Sequence, residues 1–157
     1  MELNKKVADF TLQNDEDKTT SLSSYAGKPV VLFFYPRADT PGCTIEACGF
    51  RDAFKKLQAA GAVVLGISRD TPKAQAKFRA KYDLPYTLLA DVDEKVCNRF
   101  GVMKEKNMYG KKVFGIERTT FVIGPDQTLL HVFPKVTPAG HAEEVLALLK
   151  GWKKAQK

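Results

Sequence analysis

Apolar positions along the chain fall into short continuous runs separated by stretches of helical periodicity. Val30-Val31-Leu32-Phe33-Phe34-Tyr35 is β-branched and aromatic and ends at Pro36, the pattern of a buried strand. Residues 62–68 and 86–90 read as a second and a third strand of the same kind. Thr119–Ile123 and Leu129–Phe133 flank Gly124-Pro125-Asp126-Gln127 and predict a hairpin. Residues 7–13 alternate weakly and suggest a short edge strand. They are followed by a polar turn at 14–18 and one helical turn at 21–25 closed by Gly27.

The intervening segments carry the helical period. From Cys43 to about Ala60, Ile45, Cys48, Ala53, Phe54 and Leu57 fall on one stripe, and Gly61 fits a C-terminal cap. Asp70-Thr71-Pro72 supplies a capping side chain and a first-turn proline, with Ala74, Phe78 and Tyr82 repeating at i+4 behind it. A short helix is expected over 93–100, ending at Gly101, and a final amphipathic helix over about 138–152, followed by a basic tail. Residues 104–115 are polar, basic and glycine-containing, and predict a loop. Strands alternating with helices, then a hairpin and a helix, imply an α/β protein with a mixed sheet flanked by helices. At 157 residues, with no repeat or linker, the chain reads as one domain spanning 1–157.

Composition narrows the chemistry. The hydrophobic fraction of 44% and charged fraction of 27% are those of an ordinary globular protein. No apolar run reaches the ~20 residues of a membrane span. The start, Met1-Glu2-Leu3-Asn4-Lys5-Lys6, lacks an apolar signal core, so a cytoplasmic protein is expected. The net charge is +7, but the lysines occur as scattered pairs without interleaved aromatics, which predicts a solvated surface and no nucleic-acid or membrane partner. Three cysteines are too few for a disulfide framework. Neither His131 nor His141 pairs with them at zinc spacings, so no metal is expected. Both histidines read as structural or surface residues, and Cys97, in a helical pattern with Val96 and Phe100, as a core residue.

The other two cysteines carry the chemistry. Cys43 lies where the loop after strand 30–35 enters a helix, and a helix N-terminus offers unpaired N–H groups and partial positive charge to an anionic sulfur. Thr40 places a hydroxyl three residues ahead, Pro36 and Pro41 stiffen the loop, and Gly42 permits close backbone approach. Cys48 is five positions on. In a continuous helix that is about 7.5 Å along the axis and about 140° around it. A disulfide needs Cα atoms within roughly 7 Å and converging Cβ atoms. The two thiols therefore stay apart while the helix is intact, and a bond between them requires its first turns to unwind.

Pro36-x-x-x-Thr40-x-x-Cys43 resembles the active-site signature of the peroxiredoxins, thiol peroxidases on a thioredoxin-like fold, and a second cysteine five residues on is similar to their PrxQ-type subfamily. The resemblance begins at Val7-Ala8-Asp9-Phe10-Thr11-Leu12 and extends through Gly115-Ile116-Glu117-Arg118-Thr119-Thr120-Phe121. It implies that Cys43 attacks the peroxide, Thr40 bonds it, Arg118 supports the sulfur and the oxygens in flight, and Pro36 shields the site. It further implies that the N–H groups of Gly42 and Cys43 complete the donor set, that Glu46 holds the arginine, and that Cys48 resolves the sulfenic acid as a disulfide. Thioredoxin or glutaredoxin is the implied reductant, a monomer the implied state, and no cofactor is implied. Two other readings stay open on the residues alone. A general thiol-disulfide oxidoreductase would usually carry Cys-x-x-Cys, and a basic binding protein would be indifferent to Cys43.

Overall fold

The structure is a computed structural model that describes residues 2–155. Its elements follow in chain order. Strand β1 (Thr11–Asn14) turns into β2 (Thr19–Ser21), a 3₁₀ turn (Leu22–Tyr25) leads to β3 (Val30–Phe34), and helices α1 (Pro41–Asp52) and α2 (Phe54–Ala59) precede β4 (Val63–Ser68). Helix α3 (Pro72–Lys81), β5 (Thr87–Ala90) and α4 (Lys95–Arg99) come next, then β6 (Met103–Met108), β7 (Lys111–Ile116), β8 (Thr119–Ile123), β9 (Leu129–Phe133) and α5 (His141–Ala155).

Seven strands form one mixed sheet in the order β2-β1-β5-β4-β3-β8-β9. The continuous apolar runs occupy its centre. All five residues of β3 are buried, because helices or other segments cover both faces. The β3-to-β4 and β4-to-β5 connections join parallel neighbours stepping in one direction, and crossovers of one hand then place their helices on one face. Phe33, Tyr35, Phe50, Leu57, Phe78 and Leu149 accordingly share one core layer, built from the sheet and from α1, α2, α3 and α5. Phe10, Leu32, Phe34, Ile67, Phe100 and Phe121 form the opposite layer. Each such side chain contributes roughly 1.5–3 kcal/mol by leaving water.

One feature of register positions the site. β8 runs antiparallel to β3, with Phe34 opposite Thr119. β8 therefore begins at the sheet edge where β3 ends, and the residue before it, Arg118, emerges beside the loop that follows Tyr35.

Several expectations require correction. The weak strand expected at 7–13 is ordered as a strand only over Thr11–Asn14, and it is not at the edge, since β2 covers it. The helix expected from Cys43 to Ala60 is two helices meeting at Ala53, whose φ of −92° and ψ of 0° interrupt the ladder. Helix α5 starts later than expected, at His141, and runs through Lys153 and Lys154, which were expected in a tail; Gln156 and Lys157 lie outside the described residues. The largest departure is at 104–115, where the expected loop is the hairpin β6–β7 in six-residue register. Tyr109 and Gly110 both have positive φ, 54° and 79°, the backbone of a two-residue hairpin turn whose twist matches that of its strands.

Candidate functional site

Helix α1 opens with Thr40 as N-cap in extended conformation and Pro41 at its first position. Pro41 is tolerated there because its missing N–H would have had no helical partner. Cys43 is thus in the first turn, with its side chain 1% exposed. The buried face of α1 is Cys43, Glu46, Ala47 and Phe50, spaced i, i+3, i+4, i+7. Ile45, placed on the inner stripe by the sequence, is 53% exposed, and Cys48 is half-buried. Ala53 and Leu57 of the expected stripe are buried and Phe54 packs against the same core, but within α1 the inner line runs through a glutamate.

That glutamate is held by Arg118. The Arg118 Nη1 group donates to Glu46 Oε1 at 2.9 Å and to Cys43 Sγ at 3.3 Å. Glu46 is fully buried, and its Oε2 has no hydrogen-bond partner among the described residues. Burial pushes its carboxyl up to about 7, against the opposing pull of the Arg118 guanidinium. Burial also works against the charge on Arg118, but the Cys43 sulfur and the Glu46 carboxylate outweigh it and raise its pKa. Gly42 gives the guanidinium room, since a Cβ there would lie 2.9 Å from Arg118 Nη2.

The raised Glu46 pKa fixes the sign of a stability effect. The folded state binds this proton more tightly than the unfolded one, so the contribution is complete below pH 4.5 and is lost as pH rises to about 7. The expected penalty is about 3 kcal/mol at pH 8. Glu46→Gln removes the titration. Denaturant melts should therefore show the variant gaining stability relative to wild type from pH 5 to pH 8, and a difference independent of pH would refute the assignment.

The loop before α1 is strapped to α3. Asp70 Oδ2 accepts from Ala38 N at 2.7 Å and from Ser68 Oγ at 2.6 Å. Asp39, at a φ of 59°, accepts from Tyr82 Oη at 2.7 Å and Lys81 Nζ at 2.8 Å. Thr40 Oγ1 donates to Arg37 O at 2.9 Å, which occupies its proton and leaves its oxygen as an acceptor. Pro36 is half-buried at the start of this loop.

Around Cys48 the helix is held from outside. Tyr86 Oη donates to Ala47 O at 2.6 Å, and Arg51 Nη1 to Tyr82 O at 2.8 Å. All three cysteines are free thiols. The Cys97 thiol is buried, and burial, with Asp91 in support, pushes its pKa well up. Among the described residues no group of three or more His, Cys, Asp or Glu could hold a metal ion.

The family resemblance brings Cys43, Glu46, Arg118 and Gly42 to one place, and the structure assembles them. Sequence reasoning missed the residues behind them. His141 Nε2 lies 2.7 Å from Thr120 Oγ1, and its Nδ1 3.3 Å from Glu144. Burial lowers its pKa, so the imidazole is neutral and ties α5 to β8 two residues from Arg118. Asp70 read only as part of a helix start. A histidine or aspartate whose partner lies far along the chain leaves no local signal.

The model of the AhpC/TSA family matches residues 3–132. A putative peroxiredoxin bcp from Coxiella burnetii is 52% identical over 95% of this chain and 99% of its own length. The chain belongs to the AhpC/TSA family, as a peroxiredoxin of the Bcp, or PrxQ, type. Peroxiredoxin Bcp of Bacillus subtilis is 41% identical over 96% of each chain. Among solved structures, a Xylella fastidiosa PrxQ mutant superposes with a TM-score of 0.93 at 36% identity, covering 98% of both chains. The Xanthomonas campestris bacterioferritin comigratory protein, a structure described for alkyl peroxide reduction, gives 0.86 at 43% identity over 90% of both. This family assignment makes the chain a thiol-dependent peroxidase on the expected thioredoxin-like fold, and sets aside the reading of a non-enzymatic basic binding protein. No helix among the described residues is long and apolar enough to cross a membrane.

Proposed function

We propose that this peroxiredoxin reduces hydrogen peroxide and organic hydroperoxides at Cys43 and resolves the product with Cys48. The observation that carries the reading is Arg118 Nη1 shared between Cys43 Sγ and the buried Glu46 carboxylate. An anionic Cys43 sulfur attacks the terminal peroxide oxygen, the O–O bond breaks, and the departing oxygen takes a proton as an alcohol or water. Cys43 is left as sulfenic acid. Converting a thiol with 3% thiolate fully to thiolate gains only ~30-fold, so positioned donors must supply most of the acceleration. Arg118 and the N–H groups of Gly42 and Cys43 are the donors, and the Thr40 oxygen, its own proton engaged by Arg37 O, accepts from the peroxide O–H.

Cys48 then attacks the sulfenic sulfur, water leaves, and a Cys43–Cys48 disulfide forms. Five residues of intact helix keep the sulfurs apart, so the first turns of α1 open for this step. The helix sequence suits opening: Gly42 and Gly49 are poor helix formers, and mid-helix glycine costs about 1 kcal/mol relative to alanine. A dithiol protein of the thioredoxin or glutaredoxin type in a reducing cytoplasm restores both thiols, and the enzyme works as a monomer without cofactor.

The test is intact mass and free-thiol count after one equivalent of hydrogen peroxide. Wild type is expected to lose two thiols and ~2 Da, through one S–S bond. Cys48→Ser should stop at a trappable sulfenic acid on Cys43. Fast oxidation that leaves Cys48 free in wild type would replace this cycle with a one-cysteine mechanism. Oxidation no faster than that of a free thiol would sink the assignment of Cys43 and revive a general thiol-disulfide oxidoreductase.

A further inference from the structure

The β6–β7 hairpin stands apart from the main sheet as a two-stranded ribbon, so the outer edge of each strand pairs with no other strand among the described residues. Its strands are about 20 Å long. It exposes three large apolar or aromatic side chains on one short ribbon: Tyr109 is 100% exposed, Phe114 67% and Val113 38%. Lys104, Lys111 and Lys112 are exposed on the same ribbon. The acidic residue there, Glu105, lies 3.9 Å from Lys112, and among the described residues neither Lys104 nor Lys111 has a carboxylate within ion-pair distance. Exposed aromatics on a cationic field are the composition of a docking surface rather than of a solvated turn.

The occupant follows from charge and from strand geometry. A second copy pairing symmetrically would set lysines against lysines. A bilayer is one-sided, whereas Val113 and Phe114 are consecutive strand residues and point to opposite faces, so a lipid surface would take only one of them. An acidic protein that clasps the ribbon or adds a strand to its edge meets both faces and Lys104, Lys111 and Lys112 together. The ribbon also leads to the site: Ile116 at its base is buried, and Arg118 follows two residues later.

We propose that this ribbon is the docking surface for an acidic protein dithiol that reduces the Cys43–Cys48 disulfide, an inference that rests on the cycle proposed above. In that step one partner thiolate attacks the disulfide and its second sulfur displaces the mixed disulfide. Two electrons and two protons pass from the partner dithiol to Cys43 and Cys48.

The experiment compares wild type with a Lys104→Glu, Lys111→Glu, Phe114→Ser variant. Each is oxidised with one equivalent of peroxide and then reduced either by purified acidic thioredoxin or by dithiothreitol. The thioredoxin rate constant should fall about tenfold and lose most of its dependence on salt. Oxidation by peroxide and reduction by dithiothreitol should not change, which also shows that the variant is folded. An unchanged thioredoxin rate would overturn the proposal, as would an equal loss with dithiothreitol. Sedimentation with phosphatidylglycerol vesicles that the variant loses while keeping its thioredoxin rate would overturn it in favour of a lipid. If wild type forms no Cys43–Cys48 disulfide, both inferences fall together, through the earlier one.

Discussion

Arg118→Met is expected to slow oxidation of Cys43 by about 10²–10³-fold, the usual cost of removing one preorganised donor from a dry site. The Arg118 Nη1 group reaches the sulfur at 3.3 Å and the Glu46 carboxylate at 2.9 Å, and its side chain is 14% exposed, so its field acts with little solvent screening. Methionine keeps the length and apolar stem but removes every donor. The stability loss should be smaller than the 3–5 kcal/mol of an orphaned buried charge. Glu46 already titrates near neutrality and will take up a proton when the guanidinium is gone. Arg118→Lys should recover only part of the rate, because one ammonium cannot copy a planar fork shared between two acceptors. Single-turnover oxidation by one equivalent of peroxide, followed by loss of free thiol, measures all three proteins. A methionine variant within threefold of wild type would remove Arg118 from the mechanism.

The central sheet was legible because its strands are buried on both faces. β3 is an unbroken apolar run and β4, β5 and β8 are mostly apolar, and no competing pattern produces six such residues in a row at Val30 to Tyr35. The hairpin β6–β7 was illegible for the opposite reason. Neither of its faces is fully buried, so Lys104, Glu105, Lys111 and Lys112 erase the alternation that marks a strand. Only Gly110 hinted at the turn, and it is preceded by Tyr109, an unusual residue for positive φ. Within the site, Cys43 and Cys48 announced themselves by spacing. Glu46 entered only through the family resemblance, because a charged residue is otherwise assigned to solvent, and Arg118 lies 72 positions away. The link between them exists only after β8 pairs antiparallel with β3 and returns the chain to the end of the sheet where the active-site loop begins.

Gly42→Ala should separate stability from activity at the same site. A Cβ at position 42 would sit 2.9 Å from Arg118 Nη2 but 3.6 Å from Pro138 Cγ. The first contact is too close to persist and the second is ordinary. Because Nη2 is the far end of a long side chain, the fold can relieve the contact cheaply, and alanine in the first turn of α1 removes some of the backbone entropy that glycine loses on folding. Stability should therefore stay within about 1 kcal/mol of wild type, or rise. The guanidinium, however, has to retreat by a few tenths of an ångström or rotate, and either movement disturbs the 3.3 Å contact with Cys43 Sγ and the 2.9 Å contact with Glu46 together. Misplacement of this order at a reacting centre costs about ten- to a hundredfold in rate. The expected result is a variant as stable as wild type to denaturant and ten- to a hundredfold slower in its first reaction with peroxide, with reduction of the preformed disulfide by dithiothreitol unaffected. A rate equal to wild type would mean that the guanidinium finds its acceptors from more than one position, and that closeness of the backbone at Gly42 serves only packing.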